Sequence, residues 1–420
     1  MPVFKAGNTG GVMKRIPATG KIYNCIDKQA IQDWLNSDEE IPYGSYYKRF
    51  EEEFAKYIGV KHAYFVNSGS SANLIAFSAA YEHFGLHDGD EIITVAACFP
   101  TTVTPIIQHR CVPVFIDIDL DTLNIKTELL EEAYSPKVKG VFLAHSLGNP
   151  FNIDEVLSFC EKHNLFLIED CADALTSKYN GEYVGTFGHI ATTSFYPAHC
   201  MTTGGGGMVY TNDDEIGFLI HSYRNWGRHS CTCEANEDNL CGHRFSGNYG
   251  ILPLGYDHKM VFGRLGYNLM ATNPQAALGL AQLQRLDFFT NQRITNFNYL
   301  KMRIVSSNLF GKVKIMKLEL DASPFCFPIL FKTMSERNKA NEYLNSHGVE
   351  TRYFFSGNII RQPLFTNNNY PYRIVGDLKN TDEVMCNMLF VGCYHGLNVI
   401  DMEVIFNVLE EYFKEGKNDS

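Results

Sequence analysis

Six short apolar runs recur along the first half of the chain: His62–Val66, Glu91–Ala96, Val112–Ile118, Gly140–Ala144, Leu165–Ile168 and Met208–Thr211. Longer stretches of helix-like character separate them. Several of the runs are apolar throughout, the pattern of parallel strands covered on both faces. The alternation predicts an α/β fold with a mostly parallel sheet, and sites in such sheets gather at the carboxyl ends of the strands. Near Asp287 the pattern changes to a long amphipathic stretch that continues through Leu300. It is read as the link between a large domain, 1–290, and a smaller C-terminal α/β domain, 291–420. No internal repeat or low-complexity tract interrupts this plan, and the final Gly-Lys-Asn-Asp-Ser reads as a disordered tail.

Composition narrows the class. With 420 residues, 45% hydrophobic and 20% charged, the chain can bury a large core. A net charge of −11 and the lack of a long basic cluster argue against a nucleic-acid surface. The N-terminus has no apolar core of a signal peptide, and no apolar run approaches the roughly 18–20 residues of a membrane span. These features predict a cytoplasmic enzyme. Its 12 cysteines should then be mostly reduced, so that clustered ones suggest metal rather than disulfides.

The chemistry concentrates in two segments. Leu165-Phe-Leu-Ile-Glu-Asp170 is an apolar run that delivers an Asp at its end, and Ser194-Phe-Tyr-Pro-Ala-His199 precedes the glycines 204–207. An Asp so placed can pair with a pyridinium nitrogen and keep the ring of pyridoxal phosphate an electron sink. Such a pocket ordinarily carries a lysine shortly after the Ser-Phe pair, for covalent attachment of the cofactor. Here His199 stands there and no lysine precedes the glycines. That absence points away from ordinary transamination. Upstream, Ser68, Gly69 and Ser70 follow a strand and open a helix, where backbone N–H groups suit a phosphate dianion; a plain serine N-cap is the bland alternative.

Seven ordered segments carry a resemblance: VNSGSSANL (66–74), CFPTTVTPIIQ (98–108), HSLGNPFNID (145–154), IEDCADAL (168–175), SFYPAH (194–199), GYNLMATNPQAALGLAQLQRLD (266–287) and TRYFFSGNIIRQP (351–363). Through them the chain resembles the DegT/DnrJ/EryC1/StrS family, and within it the lysine-less CDP-4-dehydro-6-deoxyglucose 3-dehydrases that carry a [2Fe–2S] cluster. The resemblance implies the fold-type I pyridoxal phosphate-dependent transferase fold and a homodimer. It implies that Ser68, Gly69, Ser70 and Ser194 hold the cofactor phosphate, Phe99 stacks on the ring and Asp170 binds its nitrogen. Asn225 would reach the phosphate of a neighbouring subunit. His199 becomes the catalytic base, with Tyr196 and Asp173 lining the active site and Phe354 or Phe355 joining from the small domain. An imidazole has an ordinary pKa near 6.5 and suits proton transfer at neutral pH. One departure is Gly205, where relatives carry an acidic residue.

Cys231, Cys233 and Cys241 form a second signal, three cysteines within eleven residues of a polar loop. The same Cys-x-Cys-x7-Cys spacing supplies three ligands of the cluster in the resembling enzymes, and a [2Fe–2S] cluster takes four thiolates. Cys171, beside Asp170, is the nearest fourth candidate, but it lies 60 positions before Cys231, two more than in the resembling enzymes, through two one-residue differences. A one-residue step on an extended chain reverses side-chain direction. Cys200 and Cys98 are in reserve, zinc is the rival metal, and an empty reduced loop is the remaining alternative.

Together these features imply a nucleotide-sugar 3-dehydrase using pyridoxamine or pyridoxal phosphate and removing the C3 hydroxyl of a 4-dehydro-6-deoxyhexose. The 3,6-dideoxy product needs two further electrons. No Gly-x-Gly-x-x-Gly lies between strand and helix to bind a nicotinamide or flavin, so a separate reductase is implied. The rivals are a cluster-free, glutamate-dependent 3-dehydrase, a sugar aminotransferase, and a non-catalytic binding protein that kept the fold.

Overall fold

The structure, a computed structural model, describes residues 15–20, 23–233 and 241–415. The C-terminal tail 416–420 and most of the first segment lie outside the described residues. An eight-stranded sheet forms the centre of the large domain. Its strands are β1 (His62–Val66), β2 (Glu91–Val95), β3 (Val112–Ile116), β4 (Val138–Ala144), β5 (Phe166–Asp170), β6 (Ile190–Ser194), β7 (Gly207–Thr211) and a strand from the C-terminal part, Arg373–Val375. In space the order is β1-β7-β6-β5-β4-β2-β3, closed at the β3 edge by Arg373–Val375. Pairing is parallel from β6 through β3 to the edge strand, while β7 runs antiparallel to both β1 and β6.

Burial explains the all-apolar runs. Every residue of β2, β5, β6 and β7 is buried, because helices cover both faces of the sheet. One face is closed by helix Gly69–His83, whose alanines pack beside Ile92, Phe142 and Phe166. The other is closed by helix Ser45–Ile58, where Phe50 and Phe54 surround Phe195. Strand β5 runs two residues further than its apolar stretch predicts. Glu169 is tolerated inside it because its carboxylate accepts N–H groups from Gly185, Phe187 and Gly188 at 2.6–3.0 Å. The extension makes Asp170 the last residue of the strand.

Helix Leu286–Val305 crosses the expected domain boundary without interruption. Beyond it lies a four-stranded antiparallel sheet of Lys314–Ile315, Phe327–Leu330, Met388–Val391 and Thr351–Arg352, in that spatial order. Helices Met334–Ser346 and Val399–Glu415 accompany it. The C-terminal part also returns to the large domain: Arg373–Val375 completes the main sheet, and Ser356 donates to the Cys98 carbonyl at 2.6 Å. That bond places the 352–364 segment against the carboxyl ends of the strands. Among the described residues no helix is long and apolar enough to cross a membrane.

Candidate active site and cysteine loop

A cavity of about 1250 Å³ opens at the carboxyl ends of β1, β2, β4, β5 and β6. Its wall includes Ser68, Gly69, Ser70, Phe99, Asp170, Asp173, Ser194, Tyr196 and His199. No lysine lines it among the described residues.

Asp170 is 5% exposed and well anchored. Its Oδ2 accepts from Asn73 Nδ2 and Thr102 Oγ1, both at 2.8 Å, and its Oδ1 accepts the Ala172 N–H at 3.0 Å. Thr192 in turn donates to Asn73 Oδ1 at 2.6 Å, so the amide is oriented with its donor towards the carboxylate. Asn73 and Thr102 were not singled out as site residues by the sequence reading. Asn73 had a signal, being the one amide in an otherwise apolar and small-residue helix turn; Thr102 had none.

Ser68 caps helix Gly69–His83, its Oγ accepting the Ser71 N–H at 3.1 Å. The serine N-cap and a phosphate cradle are therefore compatible, since only one of the first-turn N–H groups is used. Gly69 is required by close approach: a Cβ there would lie 2.5 Å from the Ser194 Cβ. The helix start and the end of β6 are thereby held together. Phe99 is 54% exposed and Tyr196 62% exposed, two rings presented to the cavity rather than to the core. A planar, phosphorylated heterocycle fits this set: an aromatic face, a fixed carboxylate, and hydroxyl and N–H donors at a helix start.

His199 follows β6 on a turn closed by its own N–H donating to the Tyr196 carbonyl. Its Nε2 lies 3.6 Å from Asp173 Oδ1. Burial lowers the imidazole to about 4, partly opposed by the Ser194 backbone, and burial together with Asp170 raises Asp173 to about 8. Both shifts favour the neutral forms, leaving a free imidazole beside a protonated carboxyl. Arg293, fully buried on helix Leu286–Val305, donates to the His199 carbonyl at 2.9 Å and to the Phe325 carbonyl at 2.9 Å. It ties the turn bearing His199 to the small domain. Phe355 also lines the cavity, whereas Phe354 is buried in the core.

Two expected residues are placed elsewhere. Asn225 ends helix Asp214–Arg224, is 1% exposed and donates to the His221 carbonyl at 3.0 Å, so it does not line the cavity of its own chain. Cys171, expected as a metal ligand, points into the interior. Its Sγ clusters with His145 and Glu169, its thiol is pushed well up by burial and by Glu169, and it is Ala172 that faces the cavity. Cys171 directly follows the last residue of the strand and faces the side opposite to Asp170. Cys98 lines the cavity, and Cys200 lies with its Sγ 3.7 Å from the Asp173 carbonyl.

The loop cysteines converge instead with a histidine. One donor atom each from Cys231, Cys233 and His258 lie within 4.8 Å of one another, and Cys241 Sγ is 3.5 Å from His258 Nε2. Cys231, Cys233 and His258 are each less than a tenth exposed. The donor set, three thiols and an imidazole, fits a thiolate-preferring metal.

The family model of the DegT/DnrJ/EryC1/StrS aminotransferases matches residues 24–410. A lipopolysaccharide biosynthesis protein, RfbH of Salmonella typhimurium, is 44% identical over 95% of this chain and 92% of its own length. The dTDP-4-dehydro-2,6-dideoxy-D-glucose 3-dehydratase of Saccharopolyspora spinosa is 39% identical over 98% of this chain and 88% of its own. Among solved structures, the E. coli GDP-4-keto-6-deoxy-D-mannose-3-dehydratase with bound hydrated PLP superposes with a TM-score of 0.83, at 28% identity over 94% of this chain and 100% of that one. The chain therefore belongs to the DegT/DnrJ/EryC1/StrS aminotransferase family and is a pyridoxal phosphate-dependent enzyme of that family.

Proposed function

We propose that the protein is a nucleotide-sugar 3-dehydratase that uses pyridoxamine phosphate to remove the C3 hydroxyl of a 4-keto-6-deoxyhexose, CDP-linked in our reading. The observation that carries this is His199, an imidazole standing in a cavity whose wall has no lysine among the described residues. Likeness to two 3-dehydratases supports it. When bound, the cofactor supplies an amine for the C4 ketone and a conjugated ring that takes up electrons. Asp170 holds the ring nitrogen, oriented by Asn73 and Thr102. Ser68, Gly69, Ser70 and Ser194 bind the phosphate, Phe99 covers a ring face, and Asn225 serves the partner subunit of a homodimer. His199 accepts a proton at Nε2, with Asp173 beside it to orient the ring. The cavity is large enough to admit a nucleotide sugar beside the cofactor, and Arg352 on its small-domain wall offers a cation to a diphosphate.

Loss of the C3 hydroxyl leaves the sugar two electrons and two protons short of the 3,6-dideoxy product. We assign their delivery to a [2Fe–2S] cluster on the cysteine loop, supplied by a separate cytoplasmic reductase; the spacing of Cys231, Cys233 and Cys241 supports this. A second reading, a cluster-free dehydratase that regenerates its amine from glutamate, is favoured by the inward-pointing Cys171. A related GDP-4-keto-6-deoxymannose-3-dehydratase has been solved with a trapped PLP-glutamate geminal diamine. The test is a single incubation with CDP-4-keto-6-deoxyglucose, with and without glutamate or a reductase, followed by product mass spectrometry. Replacement of the C3 hydroxyl by hydrogen, a net loss of one oxygen with the nucleotide retained, is the expected result when the electron source is present. Formation of a 4-amino sugar in its place, or a phosphopyridoxyl-lysine after borohydride reduction, overturns the dehydratase reading.

A further inference from the structure

We infer that His258 is the fourth ligand of the metal centre formed by Cys231, Cys233 and Cys241, giving a Cys3His site in place of the four-thiolate set that would have recruited Cys171. The inference rests on the reading that the cysteine loop holds a metal, and it changes who completes the site. His258 lies 25 positions beyond Cys233, too far for any local spacing rule. The fold closes that gap. The His229 N–H donates to the Val261 carbonyl at 2.8 Å, Arg228 bridges Phe262 antiparallel, and the Gly263 N–H donates to the Gly227 carbonyl at 2.8 Å. Two arms thus run side by side in opposite directions. Advancing along one from His229 reaches Cys231, and stepping back along the other from Val261 reaches His258.

The backbone that carries His258 is held from behind. Its N–H donates to the Arg244 carbonyl at 3.0 Å, and Arg244 pairs with Asp257 at 2.9 Å. Asp257 caps the short turn carrying His258 by accepting the Lys259 N–H at 3.1 Å. On the opposite side Arg228 donates to the Cys233 carbonyl at 3.0 Å. Ligand-bearing segments held by charged hydrogen bonds of this kind are the support a metal site needs. The separations suit shared coordination. Metal–sulfur and metal–nitrogen bonds of about 2.3 Å and 2.0–2.1 Å in a tetrahedron place S and N roughly 3.5 Å apart, and Cys241 Sγ sits 3.5 Å from His258 Nε2. Cys171 has no such geometry, being packed with His145 and Glu169 in a group of its own.

A Cys3His set suits either a single zinc ion or an iron–sulfur cluster, since both take thiolate and imidazole donors. The experiment separates them. Full-length wild type and the variants His258→Ala, His258→Cys and Cys171→Ser are purified anaerobically and offered zinc, or iron with sulfide. Metal and acid-labile sulfide are then counted per chain, with pyridoxal phosphate binding as the check on folding. Expected are metal retained by Cys171→Ser, affinity at least about tenfold weaker in His258→Ala, and metal retained with a shifted spectrum in His258→Cys. If iron and sulfide bind, pulsed EPR of the reduced wild type should show a histidine nitrogen coupling that His258→Cys lacks. Zinc without sulfide upholds the ligand set but defeats the electron-transfer part of the proposed function. Loss of metal in Cys171→Ser with full retention in His258→Ala overturns the inference, and so does a wild type that binds neither metal.

Discussion

At the scale of single residues, the site turns on one imidazole whose surroundings lower its proton affinity. His199 is held at about 4 by burial, so it is neutral, and able to accept a proton, at any pH above that value. An NMR titration of the cofactor-free protein should show its midpoint well below the ordinary ~6.5; a midpoint at or above 6.5 refutes the assignment. Asp173 titrates in the opposite sense. Because its folded value is raised to about 8, the stability it contributes is full below the ordinary carboxylate range and is lost as pH rises through 8. Asp173→Asn should therefore flatten the fall in melting temperature between pH 4 and 8, read by scanning calorimetry. Replacing His199 by Asn should reduce dehydration by roughly 10²–10⁴-fold, the usual contribution of a positioned general base. Cofactor affinity should stay within a few-fold, as measured by absorbance titration. Sequence reasoning singled out His199 and Asp170 because each sits in a short segment whose residue types suggest a chemistry, and Asp173 through the family resemblance. It did not find Arg293 or Thr102, whose roles exist only once distant segments meet.

At the scale of elements, the proposed phosphate cradle depends on how closely a helix start approaches a strand end. Gly69→Ala would drive a Cβ to within 2.5 Å of the Ser194 Cβ. Neither backbone can retreat, since Gly207 of the adjacent strand lies equally tight against Ser68, where an added Cβ would be 2.6 Å from the carbonyl carbon. The substitution should destabilise the protein by about 1–3 kcal/mol and weaken cofactor binding, both visible in thermal melts with and without pyridoxal phosphate. Ser68→Ala removes the cap together with a proposed phosphate ligand, and without cofactor it should cost about 1 kcal/mol. A Gly69→Ala variant as stable as Ser68→Ala would show that the approach is looser than the geometry states. The strands themselves were legible as apolar runs. Their ends were less so: β5 continues through two carboxylates because backbone N–H groups from the 185–188 turn satisfy Glu169, a compensation no local pattern displays.

At the scale of the whole molecule, one excursion carries a run of exposed apolar residues. Phe245, Ile251, Leu254, Met260, Phe262 and Leu265 are all exposed, and all lie between the cysteine loop and the helix Asn273–Leu283. Exposed apolar residues grouped in this way mark a surface that another protein covers, in keeping with the proposed homodimer. Sedimentation of the wild type should report a dimer, and Leu265→Asp, at a position 92% exposed, should shift it towards monomer without lowering the melting temperature of the isolated chain. A monomeric wild type would remove the role assigned to Asn225.

Sequence alone determined the α/β class, pointed to the carboxyl ends of the strands for the site, and proposed His199 as its proton-accepting residue. These follow from local hydrophobic period and from residue types fixed within a few positions of one another. Tertiary structure decided the rest. It joined Arg373–Val375 to the large sheet, across the boundary that a change in periodicity marked near residue 290. It also turned Cys171 inward and Ala172 outward, and it brought His258 to the three loop cysteines. The reason is the same in each case. Which face a side chain takes depends on register, and which distant segments meet depends on pairing between strands and arms, neither of which leaves a trace in local composition.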